Sequence, residues 1–198
     1  MVEWKITNSV FNINFNVPLS LDKIAGELAE YKDIDIKYEP GIFPAIILYL
    51  NLDNKTKNIK LLIFSNGSIN ITGLKDIENI YQVINKLKEI LKRINIELSN
   101  NYELKAVNIV INGNFDYANI DLEKIYNDFD DVRYDPERFP AVSIPYYLSK
   151  DYKVRFNIFK NGKFVCAGIK GDLNNIDQHI NEIVNSFQEN VIKKYTKQ

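Results

Sequence analysis

The 198-residue chain carries the same text twice. Tyr38-Glu39-Pro40-Gly41-Ile42-Phe43-Pro44-Ala45 returns 96 residues later as Tyr134-Asp135-Pro136-Glu137-Arg138-Phe139-Pro140-Ala141. Ile63-Phe64-Ser65-Asn66-Gly67 returns as Ile158-Phe159-Lys160-Asn161-Gly162, at an offset of 95. Gly73 and Lys75 return at that same offset as Gly168 and Lys170. Asn8-x-Val10 returns as Asn108-x-Val110, at an offset of 100. Four blocks in one order at nearly constant spacing mark a tandem duplication, which fixes the fold problem to one unit used twice. The expected division is 1–99 and 100–198, with the junction around Leu98–Glu103.

Composition bounds what such a pair can do. Apolar residues at 45% and charged residues at 26% are ordinary globular values. With 25 Lys+Arg against 26 Asp+Glu the net charge is -1, which gives no global argument for nucleic acid, membrane or acidic partners. One cysteine, Cys166, excludes an intrachain disulfide and a Cys-rich zinc site. One histidine, His179, excludes any site needing two. No apolar run reaches the ~18–20 residues of a membrane span, and the N-terminus lacks the basic and apolar regions of a signal peptide. The expectation is a soluble, intracellular protein with no metal, no cofactor and no hydrolytic chemistry.

Each repeat reads as strand, short helix, several strands, long helix. In Trp4–Phe15, Trp4, Ile6 and Val10 fall on even positions and Phe11, Ile13 and Phe15 on odd ones, which predicts a strand with a break near Ser9. Leu19–Tyr31 has helical spacing at Leu21, Ile24, Ala25 and Leu28, with Ser20 as N-cap. Ile34–Tyr38, Ala45–Leu52, Ile59–Phe64 and Ser68–Thr72 are short β-branched or aromatic runs between Pro, Asn and Gly. Asn66-Gly67 predicts a hairpin with a type I′ turn. Ile77, Ile80, Ile84, Leu87, Leu91 and Ile94 step by three and four along a long helix. In the second repeat the strands are 104–115, 142–147, 154–159 and 163–167. Its helices are 122–129 and one carrying Ile176, Ile180, Ile183, Phe187 and Val191.

If the long helices cover one face of the sheet, the other face is solvated or functional. Period-2 alternation places Leu62 with Phe64, Asn70 with Thr72, Asn157 with Phe159, and Val165 with Ala167 on that open face. Phe43 and Phe139 join Phe64 and Phe159 there. A lone Phe is ordinarily core. These four sit beside Pro or an Asn-Gly turn, occur at equivalent places in both repeats, and are not needed to fill the core. A symmetric apolar surface with polar flanks reads as a binding face.

The repeated Y-[DE]-P-x-x-F-P, I-F-x-N-G and [TA]-G-x-K blocks, with N-x-V opening each repeat, resemble the core of the TATA-box-binding protein family over essentially the whole chain. The resemblance implies an α+β saddle: two pseudo-symmetric repeats form one curved antiparallel sheet with helices on the convex face and double-stranded, AT-rich DNA on the concave one. It implies binding in the minor groove, whose few distinguishing groups favour reading by shape and deformability. Phe43 with Phe64 and Phe139 with Phe159 are then the wedges that kink the duplex, as this family is known to do. Asn8 and Asn108 hydrogen-bond base edges. Val10, Val110, Leu62, Val165 and Thr72 contact the groove floor, and Lys75, Lys163 and Lys170 meet phosphates. The function implied is a general transcription initiation factor, archaeal by preference. Its place is the cytoplasm or nucleoid, or the nucleus if eukaryotic. A transcription factor B-like protein docks on the loop of Asp135, Glu137 and Arg138, and RNA polymerase is engaged indirectly.

The chain departs from the family pattern at several of these places. Asn70 and Asn157 stand where the family usually has Val and Leu, and Ala167 replaces a Thr. Ser68 replaces a counterpart of Lys163. Tyr49 and Pro145 occupy positions of phosphate-binding Arg, and Arg138 that of an apolar residue. Fewer cations mean fewer released counterions and a shallower salt dependence. The two Asn can alter base preference. The alternative is a divergent paralogue that serves as a protein-interaction or regulatory module with weak or altered DNA binding.

Other candidate chemistry reduces to structure. His179 is expected on the solvent side of the last helix and Cys166 inward as a small hydrophobe. Asp130-Asp131 and Asp33-x-Asp35 are expected as solvated loop pairs. Lys193–Lys197 is expected as a frayed basic end. No Gly-rich phosphate-binding motif occurs.

Overall fold

Both repeats fold in one element order, as expected from the duplication. The computed structural model describes residues 2–52 and 59–196. The first repeat contributes β1 (Glu3–Asn14), α1 (Leu21–Leu28), β2 (Asp35–Lys37), β3 (Ala45–Leu50), β4 (Ile59–Phe64), β5 (Ser68–Thr72) and α2 (Ile80–Lys92). The second contributes β6 (Glu103–Asn114), α3 (Leu122–Asp128), β7 (Arg133–Asp135), β8 (Phe139–Tyr147), β9 (Lys153–Phe159), β10 (Lys163–Gly171) and α4 (Ile176–Asn190). The ten strands hydrogen-bond in one sheet, in the order β2-β3-β4-β5-β1-β6-β10-β9-β8-β7.

The chain divides into two compact units that do not follow the repeats to the residue. One is 8–106; the other joins 1–7 to 107–198. Each unit therefore borrows a strand end from the opposite repeat. In the second unit, Trp4 at the start of β1 donates its indole N–H to Asn181 Oδ1 on α4, at 2.8 Å, and Thr7 Oγ1 donates to the Val110 carbonyl at 3.3 Å. In the first unit, Tyr102 just before β6 lies 5.4 Å from the ring of Phe15.

The borrowing explains the mixed parity of the opening strand. β1 is continuous, so the expected break at Ser9 does not occur in the backbone. What changes is which alternate set is covered. Trp4, at an even position, reaches α4, whereas Ser9, Phe11 and Ile13 are fully buried at odd ones. β6 does the same: Ala106 is buried on the even set, then Ile109 and Ile111 on the odd set. Ser9 is the buried polar residue at this shift, and its hydroxyl donates to the Leu74 carbonyl. That bond lets a hydroxyl sit in the core without losing a partner.

The helices cover one face in each unit. In the first, α2 buries Ile80, Val83, Ile84, Leu87, Ile90 and Leu91 over Phe11, Ile13, Leu61, Ile63, Ile69 and Ile71. This core is mostly aliphatic. In the second unit the equivalent space is aromatic. Phe156 and Phe187 stack at 3.8 Å, and Phe115 and Phe164 at 4.3 Å. Tyr146 meets the Phe187 ring edge-on at 5.2 Å, its hydroxyl 2.6 Å from Ser186 Oγ.

Several sequence expectations shift at their edges. The long helix of the first repeat begins at Ile80; Ile77–Asn79 is a 3-10 turn, started by Asp76, whose carboxylate accepts from the Glu78 N–H. The first helix is shorter than 19–31, and Ser20 caps it without a side-chain hydrogen bond. β2 is shorter than 34–38, and β3 ends at Leu50 rather than Leu52. β8 begins three residues earlier than expected, and β10 runs on to Gly171. β7, a three-residue strand, has too little pattern to be read from sequence. The hairpin turns are not type I′. Only Gly67 and Gly162 have positive φ, +81° and +83°, while Asn66 and Asn161 do not. The Gly67 and Gly162 N–H groups donate to the carbonyls of Phe64 and Phe159, and the Asn side chains accept from the N–H of Ser68 and Lys163. This is a type I turn closed by a left-handed Gly, with Asn acting through its side chain.

The basic C-terminal segment is not frayed over its described part. Tyr195 is 8% exposed, its carbonyl accepts from the Asp121 N–H, and Thr196 bridges to Ile120. Lys197 lies outside the described residues. Cys166 is fully buried, as the alternation requires. His179 is half-buried rather than solvated: its ring stacks on Tyr152 at 5.9 Å, with Nε2 3.3 Å from the phenol oxygen. The acidic pairs take cations: Asp33 pairs with Arg93 at 2.6 Å and Asp131 with Arg155 at 3.8 Å. No cluster of three His, Cys, Asp or Glu suited to a metal occurs among the described residues.

Candidate nucleic-acid interface

Each unit has a sheet face that the helices leave uncovered. On the first unit it carries Val10 and Asn12 from β1, Ser68, Asn70 and Thr72 from β5, Lys60, Leu62 and Phe64 from β4, and Ile47 and Tyr49 from β3. Register fixes the neighbours: Val10 lies opposite Thr72, Asn12 opposite Asn70, Leu62 between Asn70 and Ile47, and Lys60 between Thr72 and Tyr49. All except Lys60, which is exposed, are half-buried, while their alternates Phe11, Ile13, Leu61, Ile63, Ile69 and Ile71 are fully buried. On the second unit, Val165 lies opposite Asn157, Ala167 opposite Arg155, and Ser143 opposite Asn157. Val110 and Asn112 of β6 are the half-buried alternates of Ile109 and Ile111.

The four phenylalanines form two pairs, one at the edge of each unit. Phe43 and Phe64 meet edge-on, centroids 6.2 Å apart and planes at 70°. Phe139 and Phe159 repeat this at 5.7 Å and 71°. The outer member of each pair is open to solvent: Phe43 is 37% and Phe139 45% exposed. The inner members, Phe64 and Phe159, end β4 and β9 and are half-buried. Two backbone features aim them. The Glu39 carbonyl accepts from the N–H groups of Ile42 and Phe43, which folds the loop before β3. The left-handed Gly67 and Gly162 close the turns just after Phe64 and Phe159.

The G-x-K block has a geometric cause. Gly73 and Gly168 sit at φ +87° and +90°. The alternation slips by one residue at each: Ile71 and then Leu74 are buried, as are Cys166 and then Ile169. Lys75 and Lys170 thereby follow Thr72 and Ala167 on the uncovered set, and both are exposed. Lys163 is exposed at the start of β10.

The two N-x-V asparagines differ in their surroundings. Asn8 is exposed. Asn108 is half-buried, and its Oδ1 accepts from the Gly168 N–H at 2.9 Å, leaving its Nδ2 as the outward donor. Among the residues on these faces that the sequence does not single out are Asn12, Asn112, Lys60 and Arg155. Asn12 and Asn112 follow Val10 and Val110 by two, so the block that opens each repeat is N-x-V-x-N. Lys60 and Arg155 share their face with Leu62 and Asn157, and they are equivalent across the 95-residue offset. Parity two residues from an assigned position was the available signal for all four. Lys60 stands over the Tyr49 ring at 5.7 Å. Arg155 lies 3.4 Å from Ser143 Oγ and 3.8 Å from Asp131.

The loop of Asp135, Glu137 and Arg138 projects between β7 and β8 and is exposed throughout. Arg138 Nε lies 3.5 Å from Asp135 Oδ2, and its N–H donates to the Asp135 carbonyl. The matching loop of the first repeat carries Ile42, 81% exposed, where the second has Arg138.

A twice-repeated α+β unit with a helix-covered sheet face, and a bare face bearing paired phenylalanines, defines a class of two-repeat surface-binding proteins. A family model described as transcription factor TFIID, or TATA-binding protein, matches residues 3–94 and 103–190. The chain is 32% identical over 169 residues to the TATA-box-binding protein of Pyrobaculum islandicum, covering 85% of this chain and 78% of that one. It is 30% identical over 171 residues to that of Thermococcus celer, covering 86% and 84%. The solved structure of Methanococcus jannaschii TBP superposes with a TM-score of 0.72 at 28% identity, covering 94% of this chain and 99% of that one. The chain belongs to the TATA-box-binding protein family.

Proposed function

We propose that the protein is a transcription initiation factor that binds AT-rich promoter DNA in the minor groove and bends it. The observation that carries this reading is the doubled phenylalanine pair, placed alike in both units with its outer ring in solvent. Leaving Phe43 and Phe139 exposed and Phe64 and Phe159 half-buried at equivalent positions is unfavourable in water and is offset once the rings insert between base steps. Val10, Val110, Leu62, Val165, Thr72 and Ala167 supply the groove-floor contacts. Asn8 and Asn108 donate to base-edge acceptors. Lys60, Lys75, Arg155, Lys163 and Lys170 meet phosphates. The chemistry is binding and deformation, with no catalytic step, and its place is with the DNA inside the cell.

The Asp135–Arg138 loop is the proposed docking point for a transcription factor B-like partner, through which RNA polymerase is reached. The Asp135–Arg138 ion pair supports a second reading, in which the fold serves as a regulatory interaction module, because it ties up the acidic group that a basic partner would meet.

The test compares wild type with Phe43→Ala and Phe159→Ala on AT-rich and GC-rich duplexes, reading affinity by gel shift and bending by end-to-end energy transfer. Each substitution is expected to weaken AT-rich binding at least about tenfold, an amount set by one lost large apolar contact, and to reduce the bend. Equal affinity for the two duplexes, or no effect of either substitution, defeats the reading.

A further inference from the structure

The uncovered face of the first unit holds a polar cluster on its inner strands. Asn12 of β1 lies opposite Asn70 of β5. The Asn12 Nδ2 group uses both protons inside the sheet face: one bonds Ser68 Oγ and the other Asn70 Oδ1, each at 2.8 Å. Two functions are left over. The Asn12 carbonyl oxygen is an acceptor and the Asn70 amide a donor, and neither has a partner among the described residues. Both side chains are half-buried, and with these bonds in place the Asn12 oxygen and the Asn70 amide are the groups left to meet a ligand.

The second unit keeps the first asparagine and loses its holders. The residue equivalent to Asn12 is Asn112, also half-buried. The residues equivalent to Ser68 and Asn70 are Lys163 and Val165. A valine side chain has no hydrogen-bonding group, and a lysine ammonium only donates. Neither can accept the amide protons of Asn112, so nothing at these positions turns its oxygen outward. The other polar floor residues of this unit stand on the outer strands, at Ser143 and Asn157, where the first unit has Ile47 and Leu62. The same scaffold therefore carries an asparagine locked with its carbonyl outward in one repeat, and an asparagine whose amide protons remain available in the other.

In the minor groove, A·T and T·A pairs offer only acceptors, while G·C adds the guanine N2 amine as a donor. A carbonyl fixed outward faces an acceptor at every A·T pair, and finds a partner only where that amine is present. The Asn70 amide can at the same time donate to a pyrimidine O2 or purine N3, which every base pair presents. An asparagine with free amide protons meets an A·T pair equally well by donating, and gains nothing from the amine. We infer that Ser68 and Asn70 lock Asn12 as a reader of a guanine amine in the half of the DNA site under the first unit, while Asn112 gives the second unit no such preference. The recognised sequence is then directional: an off-centre G·C pair sets which half lies under which unit. This rests on the minor-groove reading above.

The test uses an all-A·T duplex and a set in which one adenine at a time is replaced by 2,6-diaminopurine, which adds the amine and leaves the pairing to T in place. Wild type is expected to gain about fivefold affinity at one position in one half-site, the net worth of one neutral hydrogen bond. At the mirror position no gain is expected. A variant with Ser68→Lys and Asn70→Val copies the pair that the second unit already folds with, and abolishes the gain. The converse variant, Lys163→Ser with Val165→Asn, installs the lock on Asn112 and creates a gain at the mirror position. A wild type that gains at no position, or equally at both, overturns the inference while leaving minor-groove binding intact. So does a gain that neither variant moves. Failure of wild type to bind the all-A·T duplex overturns the minor-groove reading itself, and this inference with it.

Discussion

At the scale of single residues, two side chains make their surroundings measurable. Asp33 accepts a hydrogen bond from Arg93, and that bond holds its carboxyl below the ordinary value of 3.8. A carboxyl lowered by folding stabilises the protein at pH values above its unfolded pKa, and that contribution is lost as pH falls through the folded value. Asp33→Asn should therefore lower the melting temperature slightly at pH 7, with the difference shrinking below about pH 4, where carboxylates protonate. The effect is small, because side-chain exposures of 62% and 39% leave the pair screened. A difference that grows on acidification contradicts the assignment. Cys166 behaves oppositely. Burial pushes its thiol far above the usual range, which removes the thiolate that thiol reagents need. An aromatic disulfide reagent at pH 8 should leave the native protein unlabelled over minutes and label one thiol at once in denaturant. Rapid native labelling would mean that β10 is not covered as described.

At the scale of elements, the hairpins that end in Phe64 and Phe159 depend on one glycine each. A Cβ added at Gly162 would sit 2.5 Å from the Tyr117 carbonyl oxygen and 2.9 Å from Asn114 Oδ1, on a backbone at φ +83°. Left-handed geometry alone costs about 1–2 kcal/mol for a residue with a Cβ. The backbone clash adds to it. Gly162→Ala should lower the melting temperature by about 4 °C or more, at 2–4 °C per kcal/mol for a chain of this size. Gly41→Ala is the control: its Cβ meets nothing within 4 Å, so its melting temperature should stay within about 2 °C. These glycines also show what was legible beforehand. Asn-Gly between apolar runs located both hairpins, and the 3-4 spacing located α2. The turn type was not legible, because Asn serves either by adopting positive φ or by accepting a hydrogen bond through its side chain. Nor was the pairing of His179 with Tyr152, which stand 27 residues apart and meet only through folding. The four Phe were legible as a set because the duplication repeats them. Lys60 and Arg155 share the parity of Leu62 and Asn157, but a charged residue on a strand ordinarily marks a solvated position, so the alternation alone does not distinguish them as part of a binding face.

At the scale of the whole molecule, the balance of 25 cations and 26 anions says little about DNA until charges are placed. The cations proposed to meet phosphates are Lys60, Lys75, Arg155, Lys163 and Lys170; among the described residues Lys37, Arg133 and Lys153 also share the uncovered faces, on outer strands opposite Ile47, Ser143 and Tyr147. Many of the others are engaged with acids elsewhere: Lys23 with Glu27, Lys86 with Glu89, Arg93 with Asp33, and Lys193 with Glu189. Each phosphate neutralised contributes about -0.9 to the slope of log affinity against log salt. The five proposed contacts set a slope of about -4.5, and Arg155, already 3.8 Å from Asp131, contributes less than a full unit. Titration of an AT-rich duplex between about 50 and 200 mM salt, a range over which phosphate contacts dominate the change, should give a slope no steeper than that. The residual affinity at the high end should then fall sharply in Phe43→Ala and Phe159→Ala, since apolar wedging is insensitive to salt. A slope well beyond about -4.5 would require phosphate contacts from further cations, such as Lys37, Arg133 or Lys153, and the wedge pairs would no longer be the principal source of affinity.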